Sequence, residues 1–99
     1  MPGQLRATCV AGVTSLNFLN EAGVAAEVTA WGVNDATGVT QLTPALANGA
    51  ATTAIVATGT NVLGLTYQVV SAANVTTADI SAGPAGTSCG VGASGLTTG

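Results

Sequence analysis

Histidine and lysine are both missing from this chain of 99 residues, and the only basic side chain is Arg6. Without an imidazole or an amine, Ser-His-Asp and Cys-His arrangements cannot be built, and neither can a Schiff base. Carboxylates are scarce as well: Glu21, Glu27, Asp35 and Asp79 complete the five charged residues. Two carboxylates can in principle run glycoside chemistry. Here Glu21 and Asp35 fall in turn-like stretches, while Glu27 and Asp79 alternate with apolar residues, which is the pattern of solvated faces. The chain reads as non-enzymatic. A net charge of −3 with one arginine also argues against nucleic-acid binding, because phosphate contacts come mainly from Lys and Arg. With no histidine and two cysteines a zinc site is excluded. Asn34, Asp35 and Thr37 supply oxygens but too few carboxylates for calcium. They read as a turn held by its own side chains. No metal and no cofactor are expected.

Large side chains are equally rare, with one Phe, one Trp and one Tyr against 19 alanines and 12 valines. A core of small residues gains less from burial, at roughly 25 cal/mol per Å² of apolar area, and needs a supplement such as a disulfide or a partner subunit. Long hydrophobic runs are absent too. A spanning helix takes about 20 apolar residues, and the richest stretch, LANGAATTAIVATG, is broken by Asn, Gly and Thr. No membrane span is expected. MPGQLRATCVAGVTSL carries one basic residue and no clean apolar block. It is therefore not a signal peptide, and the chain is expected either to be mature already or to leave its cell without one.

What remains is threonine, glycine and regular alternation. Turn signals recur every eight to twelve residues, the spacing of an all-β sandwich or barrel. They are Asn20–Gly23, Asn34–Gly38, Asn48-Gly49, Gly59–Asn61, Ala73-Asn74 and Gly83–Gly86. Between them Val24, Ala26, Val28 and Ala30 share one face, Leu65, Tyr67 and Val69 another, and Ala78 and Ile80 a third, each set opposed by polar residues. Period-two patterning marks half-buried antiparallel strands, and the sixteen threonines suit a pleated surface. The fold expected is an antiparallel β-sandwich, Ig-like or jelly-roll-like, of seven to eight strands. Its core should include Leu16, Phe18, Val28, Ile55, Tyr67, Val69 and Ile80. At most one helical turn is expected, where Thr43, Pro44 and Gly49 give a cap, a first-turn proline and a stop, in competition with a plain loop. Residues 1–86 form the sandwich and 87–99, rich in Gly, Ser and Thr, a C-terminal strand or arm. Trp31 is expected in the core rather than as an exposed ligand platform, and Asn74-Val75-Thr76 matches a glycosylation sequon.

Cys9 and Cys89 stand near opposite ends, so a bridge between them makes the first and last strands neighbours. The alternative is two buried free thiols. A surface of Thr, Ser, Asn, Gln and Gly hydrogen-bonds without charge, and interfaces are depleted in charge in this way, whereas monomers favour a substantial charged fraction. Thr66, Gln68, Thr77 and Asp79 are the candidate interface. The function expected is that of a structural subunit of a large ordered assembly, a phage-type capsid decoration (cement) protein. It would associate with itself as a trimer and with a major capsid protein on the virion surface. The alternative is a secreted, extracellular Ig-like adhesion or pilus module that binds a protein or a glycan.

Overall fold

Strands follow wherever the alternation holds, because residues i and i+2 lie on one face of a pleated chain. A computed structural model of the protein describes residues 2–34, 37–57, 62–85 and 88–98. Among them are eight strands: β1 (Gly3–Val10), β2 (Val13–Asn20), β3 (Ala26–Asn34), β4 (Thr37–Leu46), β5 (Ile55–Val56), β6 (Leu63–Ser71), β7 (Asn74–Ala85) and β8 (Ser88–Thr98). They build two antiparallel sheets, β1-β2-β5 and β4-β3-β6-β7-β8, packed as a sandwich. The chain crosses from β2 to β3 in the second sheet, turns back as β4, returns through β5, and crosses again so that β6 lies beside β3. This is an Ig-like connectivity, extended on one side by β8.

The buried face of each strand supplies the core. Leu16, Phe18, Val28, Ile55, Tyr67, Val69 and Ile80 are all buried, joined by Leu46, Leu63, Leu65 and several alanines. Because most of these side chains are small, backbone can approach closely. Gly32 adopts φ +152°, and a Cβ there would run into the Gly64 carbonyl oxygen. Only glycine serves in that conformation.

Asn20 and Thr52 are polar residues in the interior that are paired, whereas the buried Thr14 Oγ1 has no hydrogen-bond partner among the described residues. Asn20 is fully buried. Its Nδ2 donates to the carbonyl oxygens of Val24 and Leu46 at 2.9 Å each, and its Oδ1 accepts from the Ala22 N–H at 2.9 Å. One side chain thus pins the segment leading into β3 and the end of β4 to β2. Thr52 Oγ1 accepts from the Phe18 N–H at 2.9 Å. At another point Cys9 on β1 and Cys89 on β8 are joined by a disulfide, with Cα atoms 5.9 Å apart. It links the two sheets through a strand from each.

Four expectations need correction. The segment Thr43–Leu46 is strand, not a helical turn. Pairing jumps from Ala26↔Leu46 to Val28↔Thr43, so Pro44 and Ala45 together oppose Glu27 in a bulge. A proline without an N–H fits a bulge on an edge strand, and β4 is an edge. Trp31 is not in the core: it is 39 % exposed, since by parity it shares the face of Glu27 and Thr29. Val24 lies before β3 and is exposed as well. Finally, Gly83 and Pro84 do not end their strand. β7 runs on to Ala85, with Gly83↔Gly90 and Pro84↔Cys89 in register. A hairpin turn at Ala11-Gly12, with φ 51° and 78°, stands where no turn was expected. Gly59–Asn61 lies outside the described residues.

Candidate interaction face

The outward face of the five-stranded sheet brings the candidate interface residues together. Thr66 on β6 stands opposite Asp79 on β7, and Gln68 opposite Thr77, as directly paired cross-strand neighbours. Such pairs have Cβ atoms about 5 Å apart. Register extends both rows across the sheet. Trp31 on β3 pairs with Thr66 and with Thr40 on β4, and Thr29 pairs with Gln68 and Leu42. All four expected residues share one surface with the only tryptophan of the chain.

Charge on this face is sparse, and one of its carboxylates is hydrogen-bonded. Thr66 Oγ1 donates to Asp79 Oδ1 at 2.7 Å, a charge-assisted hydrogen bond that holds both side chains in place. Glu27 is exposed near the start of β3. Around them stand uncharged groups: Thr29, Thr40, Gln68 and Thr77, with Trp31, Val33 (48 % exposed) and Leu42 (60 %) as apolar points. Beside the Thr66–Asp79 pair the surface dips into a shallow hollow of about 430 Å³, lined by Gly64, Leu65, Thr66, Asp79, Ile80, Ser81 and Gly92. Two glycines make the hollow. A Cβ on Gly64 would sit 3.8 Å from Val33 Cγ2, and one on Gly92 would sit 3.7 Å from Ser81 Oγ. Both are ordinary contacts, so packing does not require either glycine.

Tyr67, the other polar aromatic, takes no part in this face. It is fully buried, and its hydroxyl donates to the Leu16 carbonyl oxygen at 3.4 Å. Burial pushes its pKa up to about 12, since desolvation disfavours the phenolate. Asn74 of the sequon is exposed at the start of β7, while Thr76 points into the core. Asn34 Nδ2 donates to the Val56 carbonyl oxygen at 2.8 Å, tying β3 to β5, and Asp35 lies outside the described residues. Among the described residues no group of three His, Cys, Asp or Glu side chains could hold a metal, and no helix is long and apolar enough to cross a membrane.

The sequence pattern missed Trp31 and the hollow. The signal for Trp31 was present, because it sits an odd number of residues from Ala26, Val28 and Ala30. The hollow has no local signal, since Gly64 and Gly92 lie on different strands and meet only through the order of the sheet. Compared with protein-family models, with curated proteins and with solved structures, the chain has no match in any of the three.

Proposed function

We propose that the protein is a non-enzymatic structural subunit that lays the outward face of its five-stranded sheet on a large ordered assembly, as a capsid decoration protein does on a shell. One observation carries this reading: the outward face displays a lone exposed tryptophan and a row of threonines, and its carboxylate Asp79 is already hydrogen-bonded. Burying such a face strips water from few ions, and each hydroxyl can pair across the contact. Trp31, half-exposed on the strand beside the β4 edge, has the character of an interface anchor. A second reading, a secreted Ig-like adhesion module for a glycan, is favoured by Trp31 standing beside a hollow with the hydroxyls and carboxylate of Thr66, Ser81 and Asp79.

Tryptophan emission separates the two. On a panel of purified viral shells, binding should shift Trp31 emission to shorter wavelength, and Gln68→Lys should weaken it at least tenfold without changing the circular dichroism. A signal on a glycan array that is lost in Trp31→Ala and in Gly64→Val, with no shell binding, would support the adhesion module instead. Silence in both assays would defeat both.

A further inference from the structure

The two sheets end in four edge strands, β1 and β5 in the small sheet and β4 and β8 in the large one. An edge exposes a row of unpaired N–H and C=O groups, and folded proteins blunt it by shortness, proline, a bulge or a charge. Three of the four edges are blunted in these ways. β5 is two residues long. β4 carries Pro44 within its bulge. β1 carries the exposed Arg6. β8 has no such protection. Its eleven residues include no charge and no proline, they pair with β7 from Ser88 to Thr98 without a register shift, and no described strand lies along the other side.

We infer that β8 pairs antiparallel with β8 of a second copy of this chain, about a two-fold axis, so that two five-stranded sheets become one continuous sheet. An antiparallel match of a strand with itself closes after two copies. It requires no charge complement, and β8 displays none that would select a charged partner strand. The nearest charge is Asp79, in register with Ser94 near the middle of β8. In the pair the two Asp79 residues are three strand spacings apart, about 14 Å, beyond the screening length of about 8 Å at physiological salt. Like-charge repulsion therefore does not oppose the match. The disulfide to β1 and the unbroken ladder with β7 already order the strand, so little further entropy is lost on pairing. Val91, 53 % exposed on this edge, would gain cover. The assembly is a two-fold pair rather than the trimer expected on a capsid lattice, and it does not depend on what the outward face binds.

The test uses the full, oxidised chain in sedimentation equilibrium at tens of micromolar. The expected result is a dimer. Val91→Lys places a charge on the edge at an exposed site and should weaken the dimer at least tenfold, whereas Leu42→Lys, on the β4 edge, should leave it unchanged. Hydrogen exchange of the unmodified protein supplies a readout that needs no variant: alternate β8 amides should lose protection on dilution while β6 amides keep theirs. A monomer at these concentrations, an odd-numbered oligomer, or a dimer indifferent to Val91→Lys would overturn the pairing. The outward-face variant Gln68→Lys should leave the dimer intact, so failure here is distinct from failure of shell or glycan binding.

Discussion

Two buried side chains show how the fold uses polar groups in its interior. Asn20 satisfies two carbonyls and one N–H from positions that the backbone cannot serve itself. A carboxylate in its place cannot donate to Val24 and Leu46, and each buried acceptor left unpaired costs about 1–3 kcal/mol. Asn20→Asp should therefore lower stability by several kcal/mol at neutral pH, read as the denaturant midpoint. Relief on acidification, as the acid becomes neutral, identifies the cause. Tyr67 acts through its burial. Its pKa in the fold, about 12, lies above the ordinary 10.0, so the neutral phenol is the form the fold favours. The stability linked to it is complete below pH 10 and is lost as pH climbs from about 10 to 12, roughly 2–3 kcal/mol at 1.36 per unit. Because the chain has one tyrosine, phenolate absorbance follows this group alone. Its appearance should coincide with unfolding in that window, and Tyr67→Phe should remove the alkaline loss.

At the scale of elements, β1 and β8 are joined by the disulfide at a sequence separation of 80. Closing so long a loop restrains the unfolded chain by about 4 kcal/mol in the chain-entropy account. The double variant Cys9→Ser, Cys89→Ser should melt well below the oxidised protein, by more than about 10 °C on the usual 4–8 °C per kcal/mol for a domain of this size. An unchanged midpoint would mean that the bridge adds nothing to the fold. The strands themselves were legible because alternation is local: Leu65, Tyr67 and Val69 against Thr66 and Gln68 can have only one meaning over five residues. Where the text failed, two structures shared one pattern. Thr43-Pro44 followed by Asn48-Gly49 describes a capped helical turn, and it also describes a bulged edge strand leading into a turn. The neighbour across the bulge, Glu27, decides between them, and that contact is non-local. Trp31 directly follows Ala30, the last residue of the apolar face, but strict parity puts it on the opposite face with Glu27 and Thr29. The face that unites it with Thr66 and Asp79 depends on β6 lying beside β3, which no local pattern specifies.

For the whole molecule, the scarcity of charge becomes a statement about association. The body measures 41 × 22 × 20 Å and carries five formal charges in all, so an interface of almost any placement is nearly neutral. Screening acts on charges. The self-association constant should accordingly change by less than about threefold between low and high salt, where an interface built on ion pairs weakens far more. Sedimentation across a salt series measures this directly, and a steep dependence would point to Arg6 and the carboxylates as its basis.

The disulfide also has a mechanical meaning. Cys9 is next to the last residue of β1 and Cys89 is second in β8, so both strands lead away from the bridge. A force applied to the chain ahead of Cys9 and beyond Cys89 can strip β1 from β2 and β8 from β7. It then meets a covalent bond. The 79 residues between the cysteines, with the rest of both sheets, are outside the load path. A subunit tethered through these flanking segments gives way by a few strand lengths and then holds, and only reduction would let it unravel.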